Sequence, residues 1–123
     1  MKVVTAVIVG QDAYCARILE FALNRRRLNV VRSNLTLGLT SLLEAYRPEI
    51  VLLEVDTPDL DCAAVVQFLR GSPDTGGARV LLYSNRDVDA AEAQAARYGA
   101  DGHVAVAKEV AVTERHLEPW LVS

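Results

Sequence analysis

Apolar residues along this chain form two kinds of run, and the two kinds alternate. Val3–Val9, Ile50–Val55 and Arg79–Ser84 are short, rich in β-branched and aliphatic residues, and lack polar alternation, the pattern of strands covered on both faces. Asn29–Arg32 and Gly102–Val106 are shorter runs of the same kind. Between them the apolar period lengthens to that of helices. Asp12 stands at an N-cap position before a helix to about Arg27 that carries Ile18, Leu19, Ala22 and Leu23 on one stripe. Leu35, Leu39, Leu42 and Leu43 mark a second helix that stops before Pro48, because the residue preceding proline avoids the helical region. Asp61 caps a third, Cys62–Arg70, ended by Gly71 and a loop to Gly77. Alanine-rich Val88–Tyr98, with Asp87 or Asp89 as cap, is a fourth and stops at Gly99. Val110–Val122 is the last, and Pro119 inside it costs about 3 kcal/mol, so this helix is expected to be short, kinked, or ended near Glu118.

Five strands alternating with five helices predict an α/β fold with one doubly wound parallel sheet, a three-layer sandwich formed by a single domain over residues 1–123. In such sheets function collects at the carboxyl ends of the strands. The residues delivered there are Gly10, Gln11 and Asp12, then Glu54 and Asp56, then Ser84 and Asn85, and finally Val106 to Lys108. Glu54 is the one charged side chain inside its run, so it is expected near solvent or a counter-charge. Asp56, Pro58, Asp59 and Asp61 after it favour turns and helix caps.

Composition narrows the function classes. At 51% hydrophobic and 24% charged residues the chain is an ordinary globular domain, and a net charge of -3 gives no general basic surface for nucleic acid. The apolar amino-terminal run is too short to span a membrane. Cys15 and Cys62 lack companions at metal-ligand spacing, as do His103 and His116. Free thiols, a cytoplasmic location, no metal and no cofactor are expected.

With these residues in place the chain resembles a response-regulator receiver domain of bacterial two-component signalling, a flavodoxin-like (CheY-like) fold, over nearly its whole length. In LLEVDTPDLDC, Glu54, Pro58, Asp61 and Cys62 stand at the offsets of the family's phosphorylatable Asp, its Pro and its Asp-Gly pair. Ser84 falls at the family's Ser/Thr position, GADGHV from Gly99 matches the run into the fifth strand, and Arg47 and Pro48 fit before the central strand. The resemblance implies phosphoryl transfer to an Asp, using a cation held by two carboxylates, a Lys and a hydroxyl. Here the carboxylate pair falls on Gly10 and Gln11, with Asp12 one residue on. The acceptor is Glu54, whose extra methylene spoils in-line geometry. The Lys is Val106, followed by Ala107, and Lys108 stands two residues late. Only the hydroxyl, Ser84, remains. Shifting the register to Asp56 leaves Pro58 two residues away instead of four.

The expectation is a degenerate receiver that is not an enzyme and works, without phosphorylation, as a protein-interaction module. Two roles are open to Glu54: a permanent imitation of a phosphorylated Asp, or a carboxylate that satisfies its own hydrogen bonds. The alternatives are a conventional phosphoreceiver with relaxed chemistry and a small-ligand domain using the cleft between Gly10, Glu54 and Ser84. His103 takes the family's switch position and reads as an exposed surface residue before it reads as a pH sensor. Tyr98, His103 and Trp120 mark the face of helix four, strand five and helix five where the resemblance places protein partners or a homodimer, although Trp120 also suits docking on its own sheet. The run Arg25–Arg27 reads as a solvated, dipole-complementing helix end.

Overall fold

The computed structural model describes residues 4–33, 38–55, 60–73, 75–85 and 88–121. Among these residues the chain alternates strand and helix without exception: β1 (Thr5–Val9), α1 (Ala13–Arg25), β2 (Asn29–Ser33), α2 (Leu39–Tyr46), β3 (Ile50–Glu54), α3 (Cys62–Gly71), β4 (Arg79–Ser84), α4 (Val88–Tyr98), β5 (Gly102–Ala105) and α5 (Val110–Leu121). The strands form one parallel sheet in the order β2-β1-β3-β4-β5. Chain order reverses beside β1, so the carboxyl ends of β1 and β3 flank the switch point.

Strand alternation sorts the core into two layers. Ala6, Ile8, Ile50, Leu52, Leu81 and Tyr83 pack with α1 and α5, while Val7, Val9, Val51, Leu53, Val80 and Leu82 pack with α2, α3 and α4. Every residue of β3 is buried, which is why its sequence shows no polar alternation.

Local chemistry fixes the helix ends. The Asp12 carboxylate accepts the N–H groups of Tyr14 and Cys15 at the start of α1, and Asp61 accepts that of Ala64 in α3. α2 ends as Arg47 turns left-handed (φ 47°) just before Pro48. Of the sequence expectations, Leu35, the acidic and proline turn Asp56, Pro58 and Asp59, the Asp87 cap and the outermost residues Val3 and Val122 lie outside the described residues.

One of the expectations for α5, an end near Glu118, needs correction. The helix runs through Pro119 to Leu121. The carbonyl that Pro119 cannot serve belongs to Arg115, an exposed residue, so water can satisfy it. Beyond the proline the helix is held by packing: Leu117 is fully buried, Trp120 and Leu121 pack against the α1/α5 layer, and the Arg79 guanidinium donates to the Trp120 carbonyl. The Trp120 ring covers Gly102, where a Cβ would collide with the indole.

Gly102→Ala is therefore expected to push the indole off β5. The sole tryptophan emission should shift to the red and stability should fall by about 1–3 kcal/mol in a denaturant titration. Unchanged emission would show that the ring does not rest there.

Candidate functional site

Two polar clusters lie at the carboxyl edge of the sheet. The first is built around Glu54, the last residue of β3. Its backbone is fixed by pairing with Tyr83 in β4, and the residue is 8% exposed. One carboxylate oxygen accepts the N–H of Gln11 and the other that of Asp12, both at 3.2 Å. Among the groups around this buried anion are two peptide dipoles of the β1–α1 turn, positive ends inward. The turn can come this close because its first residue is Gly10. A Cβ there would meet the Tyr83 hydroxyl and lie 2.7 Å from the Glu54 Cβ.

Tyr83, which the sequence reading passed over as one more strand residue, closes the floor. It is fully buried, and its hydroxyl donates to the Val9 carbonyl at 3.2 Å. Burial foremost, and the Glu54 charge after it, push this phenol well above its ordinary range, so it stays a protonated donor. Asp12 faces α1: besides the two cap bonds its carboxylate accepts the Cys15 thiol at 3.3 Å. Burial, then the hydrogen bond to Asp12 and the Asp12 and Glu54 charges, push that thiol up to about 12. Cys62 is buried and donates to the Glu54 carbonyl at 3.7 Å. Cys15 is not a thiolate nucleophile in this setting.

The second cluster lies one strand over. Ser84 Oγ and His103 Nε2 are 3.1 Å apart, with Ser84 closing β4 and His103 on the edge strand β5. The exposed His103 of the sequence reading is corrected here: the ring is half-buried, and its Nδ1 is buried without a hydrogen-bond partner among the described residues. An inward position follows from register, since His103 pairs with Leu82, whose side chain belongs to the α2/α3/α4 layer. Burial first, and His116 second, hold the His103 pKa below its ordinary 6.5. His116 itself lies 2.8 Å, through Nδ1, from the Ala105 carbonyl.

The structure thus joins Gly10, Gln11, Asp12 and Glu54 in one cluster and Ser84 with His103 in another. Val106 is 7% exposed and part of the apolar core, while Lys108 is exposed and pairs with no described residue. Tyr98 packs against the α2/α3/α4 layer and Trp120 against the α1/α5 layer, so these two expected contact residues are committed to opposite faces of their own sheet.

A divalent cation, which the resemblance implies, does not fit the described residues of this edge. Hard cations require anionic oxygens; positions 10 and 11 supply none, Asp12 is taken up by the α1 cap, and two peptide N–H groups point into Glu54. Among the described residues there is no group of three or more potential metal ligands.

No family model matches the sequence, and no curated protein matches it. Solved structures do. The chain is similar to the chemotaxis protein CheY4 of Vibrio cholerae (12% identity, 98% of this chain and 100% of that chain covered, TM-score 0.80). It is also similar in shape to the signal receiver domain of a response regulator from Bermanella marisrubri (21% identity, 98% and 100% covered, TM-score 0.77) and to that of a DNA binding response regulator from Colwellia psychrerythraea 34H (15% identity, 96% and 98% covered, TM-score 0.77). At these identities the likeness establishes the fold, and the fold is that of receiver domains, CheY-like and flavodoxin-like, as the resemblance implied.

Two outcomes check this geometry. Gly10→Ala should cost about 1–3 kcal/mol by forcing Tyr83 aside, and Gly10→Ala combined with Tyr83→Phe should cost less than the two single changes added together; simple additivity would deny the contact. For His103 the folded-state pKa is the lower one, so the unfolded chain binds the extra proton first. Its contribution to stability is whole above 6.5, declines as pH falls below that value, and stops changing below the folded-state pKa. The thermal midpoint of the parent should drop more steeply on acidification than that of His103→Phe; parallel curves would contradict the buried position.

Proposed function

We propose that this chain is a receiver-like signalling domain, of two-component or related type, that acts through protein contacts and not through phosphorylation at its own acceptor position. It is not an enzyme on this reading. The observation that supports it most strongly is the pair of peptide N–H bonds to Glu54. At the place where receiver chemistry gathers a cation around an acceptor Asp, the β1–α1 turn instead holds a longer carboxylate as an internal hydrogen-bond acceptor.

Phosphoryl transfer draws nearly all its acceleration from positioned positive charge and in-line geometry. Here the Lys position is a buried valine, the carboxylate-pair position is Gly10 and Gln11, and Glu54 is already engaged. Of the two roles open to Glu54, self-satisfaction is favoured. Imitation of a phosphorylated Asp needs the Ser84 hydroxyl drawn toward the acid, and Ser84 Oγ is engaged with His103. The small-ligand alternative loses support because the space over Gly10 is taken by Tyr83 and Glu54.

Signals on this reading come from the occupancy or state of a protein partner, in the cytoplasm, with neither nucleic acid nor membrane bound by the domain. The α4–β5–α5 face is the proposed contact surface, through the outer parts of Tyr98 and His103, for a partner or a second copy. No helix among the described residues is long and apolar enough to cross a membrane.

Incubation with acetyl phosphate and magnesium should leave the intact mass unchanged and yield no acyl phosphate. Glu54→Asp should also remain unmodified, and should melt lower, because the shorter side chain draws away from the Gln11 and Asp12 amides and leaves donors unpaired at about 1–3 kcal/mol. A stoichiometric acid-labile adduct on the parent protein would overturn the proposal.

A further inference from the structure

The amino edge of the sheet, opposite the Glu54 cluster, carries a cavity of about 700 Å³, a size that suits a small ligand. Its apolar wall includes Ile50, at the start of β3, and Trp120 from the end of α5. Its polar groups are three arginines, Arg26, Arg27 and Arg79, against one carboxylate, Glu49. In a chain of net charge -3 this is a local excess of positive charge.

The three arginines are not equivalent. Arg26 reaches Glu118 at 3.4 Å, and with Arg25, which lies 3.0 Å from Glu114, it ties α1 to α5. Arg79 donates to the Trp120 carbonyl. These residues complement the α1 end and hold the last helix, as a basic helix terminus should. Arg27 does neither. Its guanidinium has no ion pair or hydrogen bond among the described residues, and its backbone is left-handed (φ 63°) immediately after the Arg26 cap. That position favours glycine or asparagine, and a long cationic side chain there is a local cost without a structural return. The negative ends of the α1 and α5 dipoles and the Glu118 carboxylate beside Arg26 disfavour an anion at this edge, and the cavity's arginines act against them.

We propose that this cavity binds a small molecule in which a negative group, phosphate or carboxylate, is carried on a flat ring. The ring rests against Trp120 and Ile50, and the anion is taken by Arg27 with Arg26 and Arg79 beside it. Planar guanidinium groups suit both oxyanions. The site is separate from the Glu54 edge, so it stands or falls independently of the phosphorylation question.

The probe is 8-anilinonaphthalene-1-sulfonate, an aromatic anion, titrated into the full chain under native conditions. Saturable emission fed by energy transfer from Trp120, the sole tryptophan, is expected. Arg27→Gly separates binding from folding, because glycine relieves the left-handed backbone. This variant should melt no lower than the parent, yet bind the probe about tenfold or more weakly, the usual effect of losing a charge-assisted hydrogen bond. Arg27→Lys should recover part of the affinity. Displacement by adenosine monophosphate identifies phosphate as the preferred anion, and displacement by 1-naphthoate identifies carboxylate. Absence of saturable binding, equal affinity in Arg27→Gly, displacement by neither anion, or displacement by uncharged adenosine as readily as by its monophosphate would each overturn the proposal.

Discussion

The buried carboxylate of Glu54, held by two peptide N–H groups, is the constraint around which the carboxyl edge is arranged. An anion this deep in the sheet is tolerated only if the groups around it supply positive potential. The β1–α1 turn does so with its backbone, and therefore has to lie close over β3. Closeness in turn requires Gly10, and the space saved by its missing side chain is taken by the Tyr83 hydroxyl. Asp12 then finishes the turn by capping α1, which keeps the amides aimed at Glu54. Packing, capping and charge are one connected problem here. The result is an edge whose local field is set for an anion already present, the reverse of what a metal ion needs.

Strand alternation explains why the edge holds two clusters. Glu54 continues the series Ile50 and Leu52 toward α1, and Tyr83 follows Leu81 on the same side, whereas Ser84 follows Leu82 and Val80 toward α2, α3 and α4. His103 joins Ser84 because it pairs with Leu82 across the β4–β5 ladder. A hydroxyl and an imidazole at an edge strand are therefore linked to each other, while the acid belongs to the turn behind β1. Any partner that engages β5 meets a ring whose orientation is set by Ser84, and that link joins the proposed contact surface to the end of β4.

Much of the fold was legible because its signals are local and redundant. Unbroken apolar runs marked β3 and β4, Asp12 and Asp61 marked helix starts, and Pro48 marked the end of α2, each through a different mechanism that agreed with the others. The boundary that misled was Pro119, where tertiary docking of Leu117 and Trp120 outweighs a backbone preference. Of the site, positions 10, 11, 54 and 106 were singled out by the resemblance to receiver domains. What could not be read was reciprocity. Tyr83 carries no motif, and its role follows only from facing Gly10 across two strands. The inward His103 follows from ladder register, and the cavity at the amino edge from bringing residues 26, 27, 79 and 120 together in space.

The contact between Gly10 and Tyr83 has a consequence for the history open to this chain. A lineage that placed an acidic side chain at residue 10 would meet two obstacles there at once, the Tyr83 hydroxyl and the Glu54 Cβ. The aromatic would have to shrink and the end of β3 give way first, opening a void beneath the turn and weakening the fold before an acid could be accommodated. Substitutions along that route are ordered, and the earliest steps are deleterious.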